Sequence, residues 1–199
     1  MDILRKELNE VYASQGLQSE TLPQAWVAEA RFMADNLVRV TDGCAVITDA
    51  SCDRCYVYSG NFGVLLGYSE EGPSSVEVDS SDEDAVYDRI HPEDLVDKRL
   101  LEYEFFKSVD KKDQEEKTHF IARCRLRMRD KHGVYRVVDN STQLIRLSPH
   151  GKIWLILCTY RLSSHKDAGD GIASNILNTK TGEFESLSFR SRRAEILSA

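Results

Sequence analysis

The sequence predicts an α+β fold, an antiparallel sheet with short helices on one face and an N-terminal helical extension covering the other. Three observations point to it. Helical periodicity is confined to the first 38 residues and to residues 61–109; short apolar runs fill 44–59, and three long strands fill 118–162; and tight turn signals at 130–133 and 148–151 join those strands in succession.

The first helix spans Ile3 to Tyr12, with Leu4, Leu8, Val11 and Tyr12 at helical spacing and Gly16 as breaker. For the second, Ser19 or Thr21 can cap, Pro23 suits the first turn, and Trp26, Ala30, Met33 and Leu37 form one apolar stripe. Such a stripe must pack on the chain's own sheet or on a partner. Residues 44–48 and 55–59 flank a turn-rich segment and read as a hairpin. Residues 61–68 form a short helix closed by glycine, and the polar, acidic residues 70–84 read as a loop.

His91-Pro92-Glu93-Asp94-Leu95 opens a helix expected to run to about Val109, because proline is preset for the first helical position and two carboxylates complement the positive end of the dipole. Residues 110–117 are a charged linker. In the strand that follows, Phe120, Ala122, Cys124, Leu126 and Met128 alternate with Ile121, Arg123, Arg125, Arg127 and Arg129. Residues 134–147 form the next strand. Ile153 to Tyr160 is apolar on both faces, which places it in the middle of a sheet covered on both sides. The helices of residues 60–109 cover one side, and the Trp26 stripe is the candidate for the other.

With 199 residues, 41% apolar and 30% charged, the chain can build one core without staples. Its formal charge of −7 repels polyphosphate, so nucleic acid is not its default partner. Without an apolar run near the roughly 20 residues a membrane span needs, and with a charged N-terminus, a soluble cytoplasmic protein with no membrane contact is expected. Five cysteines, Cys44, Cys52, Cys55, Cys124 and Cys158, are an odd number and argue against a disulfide framework.

Cys52 and Cys55 form one C-x-x-C; zinc wants a second pair and a thioredoxin-like site wants a strand-to-helix junction, so two ordinary thiols are expected. Hydrolase elbows, phosphate loops, H-E-x-x-H and dinucleotide glycine fingerprints are absent. No enzyme activity is expected, and no cofactor or metal. The arginine row at 123, 125, 127 and 129 reads as a solvated or salt-bridged outer face, with an acidic partner surface as the alternative.

Residues 56–68 (YVYSGNFGVLLGY), 90–94 (IHPED) and 125–138 (RLRMRDKHGVYRVV), in that order, resemble the motifs of the PAS sensor family. The resemblance covers residues 43–162. It implies five antiparallel strands with helices enclosing a pocket on the concave face, where some members hold flavin, haem or metabolites and others hold nothing. Residues 61–66 lack the reactive cysteine of the flavin photosensors, and His91 and His119 stand at a helix start and a charged linker rather than as haem ligands. The pocket candidates are Phe62, Leu66, Ile90, Leu95, Cys124, Leu126 and Met128, as lining for a small-molecule ligand.

The implied organisation is residues 1–38 as a helical cap or dimerisation segment, 39–163 as the PAS-like core, and 164–199 as an extension, with 172–177 as a further short strand. Residues 189–197 resemble the opening helix of a LuxR-type helix-turn-helix module. The expected function is the input part of a cytoplasmic transcription regulator, homodimeric through the N-terminal helices and outer sheet face. DNA would be reached only through a further C-terminal domain. A ligand-free PAS-type interaction module and the input domain of a sensor kinase are the alternatives.

Overall fold

Alternation along residues 120–129 and the doubly apolar run at 153–160 build the centre of the sheet. The structure is a computed structural model describing residues 2–81, 84–168 and 171–189. β1 (Cys44–Asp49) and β2 (Arg54–Ser59) form the hairpin, and β4 (Phe120–Arg129), β5 (Tyr135–Leu147) and β6 (Ile153–Leu162) form the meander. β6 runs between β1 and β5, and Ile153 to Cys158 are buried throughout. This is the arrangement its two apolar faces require.

Among the described residues the sheet has eight strands rather than five. β3 (Ser74–Val78) pairs with β2 inside the segment read as a loop. Val76 and Val78 alternate there with Ser75 and Glu77, a short strand pattern hidden in an acidic run. β7 (Asn175–Asn178) extends the sheet beyond β4, overlapping the short strand expected at 172–177, and β8 (Phe184–Ser186) pairs with β7. β8 is exposed along its length, so no burial pattern marks it in the sequence. The order is β3-β2-β1-β6-β5-β4-β7-β8, antiparallel throughout.

One sheet face is covered by α2 (Gln24–Thr41), which packs Val27, Ala30, Ala34 and Val38 against Ala45, Ile47, Tyr56, Tyr58, Leu155 and Leu157. The stripe is therefore rotated from the one expected. Ala30 and Ala34 let the helix backbone approach the sheet, Trp26 and Leu37 flank the contact, and Met33 is 40% exposed. Pro23 holds the N-cap position without a side-chain cap, and Ser19 ends a 3-10 turn instead.

The opposite face carries α3 (Asn61–Leu66), α4 (Asp84–Tyr87) and α5 (Pro92–Asp110). Gly67, at φ 77°, closes α3, and the Tyr68 N–H returns to the Gly63 carbonyl at 2.8 Å. α1 (Asp2–Ala13) does not join α2. It lies on the helical side, where Leu4 packs with Val96 and Leu100 of α5, and the Tyr12 ring meets Phe106 at 5.4 Å. α5 is apolar on its back as well as toward the sheet, so it needs a cover of its own. The N-terminal extension thus splits, one helix to each face.

The exposed half of the β4 edge is sealed by the residues leading into α5. Ile90 bridges Met128, the His91 N–H donates to the Arg127 carbonyl, and the Arg129 N–H donates to the Arg89 carbonyl. None of the described helices is long and apolar enough to cross a membrane. The LuxR-like segment from residue 190 onward lies outside the described residues.

Candidate functional site

The inward stripe of α5 runs Leu95, Lys98, Glu102, Phe105, Val109, a spacing of three or four residues that puts two charges in the middle of an apolar row. Lys98 and Glu102 are buried, 0% and 3% exposed, and form an ion pair one helical turn apart. From α4, the Tyr87 hydroxyl donates toward both Glu102 carboxylate oxygens at 3.2 Å. From the sheet side, Thr142 Oγ1 on β5 accepts from Lys98 Nζ at 3.4 Å and meets Cys158 Sγ on β6 at 3.3 Å. Cys124 Sγ lies 3.4 Å from Asn140 Oδ1, and the Asn140 amide donates to the Thr159 carbonyl at 3.0 Å.

Burial alone would pull the Lys98 ammonium toward neutrality, but the adjacent Glu102 carboxylate holds its pKa above the ordinary value. The Cys124 thiol is pushed up to about 12 by desolvation. At neutral pH the cluster therefore holds a protonated lysine and a protonated Cys124 thiol, neither of them a nucleophile. Its chemistry is positional. The pair ties α5 to α4 through Tyr87 and to the sheet through Thr142.

Beside this cluster a groove of about 580 Å³ opens between the β2–β3 edge and α4. Val57, Val76, Val78 and Val86 contribute apolar wall, and Asp88, Arg89 and Arg129 contribute charge. The volume lies in the range of small-molecule sites. Val86 lines the groove while its neighbour Tyr87 reaches Glu102, so α4 forms a wall common to both.

Phe62 and Leu66 stand on α3, Ile90 just before α5, Leu95 on its first turn, and Cys124, Leu126 and Met128 on β4. All seven are buried in one cluster that also contains Phe105, Phe106 and Ile156. They pack with one another, and the β3–α4 groove is lined by other residues; Phe62 lines a second groove near Gly43, and Cys124 borders one on the outer face. Sequence reasoning missed Tyr87, Lys98, Glu102 and Thr142. The available signal was the i, i+4 lysine–glutamate pair at stripe positions of α5.

The remaining motifs resolve simply. His91 caps α5, its Nδ1 accepting the Glu93 N–H at 3.4 Å, and its ring meets Tyr135 at 4.8 Å. Cys52 is exposed and Cys55 buried, and burial together with the nearby Asp49 charge raises the Cys52 thiol. In the arginine row, Arg127 closes on buried Asp94, whose Oδ2 accepts the Arg127 backbone N–H at 2.7 Å and its Nε at 2.9 Å. That hydrogen bonding raises the Arg127 guanidinium. Asp94 thus fastens the start of α5 to the β4 edge, a larger role than complementing the helix dipole.

No family model and no curated protein matches the chain. Among solved structures it is similar to the sensory box histidine kinase/response regulator of Burkholderia thailandensis E264, at 15% identity and a TM-score of 0.39, over 84% of this chain and 92% of that one.

Proposed function

We propose that the chain is a PAS-type sensory domain, the non-enzymatic input part of a cytoplasmic transcription regulator, and that its signal is a small molecule seated in the groove between β3 and α4. The observation that carries this reading is the sharing of α4 between the groove and the buried ion pair. A ligand pressing on Val86 displaces Tyr87, Tyr87 releases Glu102, and α5 then shifts against the sheet and against α1. Further support comes from the three sequence motifs and from the run β2-β1-β6-β5-β4, which is the five-stranded arrangement the resemblance implies.

Mass spectrometry of protein denatured after native purification tests the ligand. Wild type is expected to release a small molecule that Ala85→Trp, which fills the groove, does not retain. Release of nothing by either protein overturns the sensing reading in favour of a ligand-free interaction module. DNA binding by the full-length protein separates a regulator from a sensor-kinase input.

The partner in this reading is a second copy of the chain. Phe32, Met33 and Val40 are 72%, 40% and 85% exposed on α2, the helix already docked on the sheet, and self-association would cover them.

A further inference from the structure

We propose that the outer sheet face beside α2 is a binding site for a small phosphorylated anion, distinct from the β3–α4 groove. α2 covers β1, β2 and the beginning of β6, and beyond it the face carries a polar groove of about 390 Å³. Pairing register places its residues in two rows. Asn175, Arg123, Ser141 and Thr159 lie opposite one another across β7, β4, β5 and β6; Arg125, Asp139 and Arg161 lie opposite one another across β4, β5 and β6. Neighbouring strands are about 4.8 Å apart, so Arg125 and Arg161 are about 10 Å apart at the backbone, and Arg123 is about 7 Å along the strand from Arg125. Side chains of that length can meet on one anion.

The charge in this groove is unbalanced. Among the described residues Asp139 is its one carboxylate, placed 3.5 Å from Arg125 and accepting the Ser163 hydroxyl at 2.8 Å. Arg123 and Arg161 are exposed and have no carboxylate partner among the described residues. Elsewhere the acidic excess is used: Arg54 pairs with Glu77 and Asp79, Arg127 with Glu93 and Asp94, Arg136 with Asp130, and Arg146 with Glu29. Three guanidinium groups gathered in a concave site with one carboxylate among them, on an acidic chain, mark a place for an external anion.

A phosphate monoester fits the rest of the groove. Guanidinium groups bind phosphate oxygens in pairs. The Ser141 and Thr159 hydroxyls bond to each other at 2.7 Å, which leaves one hydroxyl hydrogen and the remaining lone pairs, with the Asn175 amide, as neutral hydrogen-bonding groups for an attached polar body, and the volume suits a molecule the size of a sugar phosphate. A long polyanion is disfavoured by the net charge of −7.

The test is an amide chemical-shift titration of the whole chain with inorganic phosphate and with ribose 5-phosphate, against sodium chloride at matched ionic strength. Saturating shifts at Arg123, Ser141, Thr159 and Asn175 are expected, with ribose 5-phosphate binding more tightly than phosphate. Arg123→Gln and Arg161→Gln should each weaken binding about tenfold, the effect of one charge-assisted hydrogen bond. Arg146→Gln should leave it unchanged, and Asp139→Asn should strengthen it. Linear shifts equal to those in chloride, or affinity unaltered by both arginine variants, overturn the proposal. Saturation by an acidic peptide with no response to either phosphate overturns it in favour of a protein-docking face.

Discussion

The ring of Trp26 on α2 lies 5.9 Å from that of Trp154 on β6, tilted by 38°. These are the chain's two tryptophans, so their coupling reports whether α2 is docked. Trp154 is fixed independently, its indole N–H donating to Asp49 Oδ1 at 2.9 Å. An exciton couplet is therefore expected in circular dichroism, lost in Trp26→Phe without loss of secondary structure. Ala34, fully buried on the sheet-facing side of α2, has no room for a larger side chain. Ala34→Leu should cost about 1–3 kcal/mol in urea and weaken the couplet. An undiminished couplet in that variant would show that the helix does not rest on Ala34.

The Lys98–Glu102 pair makes a sharper energetic prediction. Glu102→Leu strands a buried ammonium and should destabilise by about 3–5 kcal/mol, whereas Lys98→Met combined with Glu102→Leu should recover most of that loss, because an apolar pair avoids the desolvation of both ions. Equilibrium urea unfolding of the two variants decides it. A double variant no more stable than the single one would mean that the pair holds the helix by more than charge balance.

Thiol chemistry follows from burial. Cys44, Cys55, Cys124 and Cys158 are buried, and Cys124 is pushed up to about 12. Only Cys52 is exposed, and its thiol is raised by burial and by Asp49, which lowers its thiolate fraction. Iodoacetamide on the native protein at pH 8 should label Cys52 alone, more slowly than a free cysteine. Fast labelling of Cys52 together with Cys55 would revive the redox reading of the C-x-x-C.

Much of the sheet was legible because its signals are local: period two along β4, an apolar run along β6, and turn residues between them. β3 escaped because its alternation is only five residues long and sits among acidic residues; β8 is fully exposed and leaves no pattern at all. The exact face of α2 escaped because Trp26 and Met33 dominate any hydrophobic reading, while the contact is made through Ala30 and Ala34. Of the site, the groove's apolar wall of Val57, Val76, Val78 and Val86 was not readable, since the seven residues expected to line a pocket pack in the core; nor was the lysine–glutamate pair, because charged residues on a helix are read as its solvent face until tertiary packing buries them. The rim of the groove depends on β3, so it could not be seen while residues 70–84 were a loop.

Self-association should depend on the outward side of α2. Phe32→Glu and Val40→Glu replace exposed apolar groups without touching the buried stripe, so folding is expected to be unaffected. Sedimentation should show wild type as a dimer and the double variant as a monomer. A wild-type monomer at concentrations up to those of crystallisation, or a dimer that survives both changes, assigns the patch no such role.

Asp130 governs acid stability at the β4–β5 turn. Its Oδ1 accepts the N–H groups of His132 and Val134 at 2.9 Å each, and its Oδ2 accepts Arg136 Nε at 2.9 Å. Burial works against the carboxylate, but these hydrogen bonds and the Arg136 charge hold its pKa below the ordinary value. A group depressed in the folded state contributes stability that is present above the unfolded carboxylate pKa of about 3.9 and is lost as pH falls through the lower folded value. Asp130→Asn keeps an acceptor for the backbone but loses the ion pair. The variant should be less stable than wild type at pH 7, and the gap should narrow as pH drops below about 4. Denaturant midpoints measured from pH 7 to pH 3 test this, and a gap that stays constant or widens in acid would mean that the turn is held by its backbone geometry rather than by the charge on Asp130.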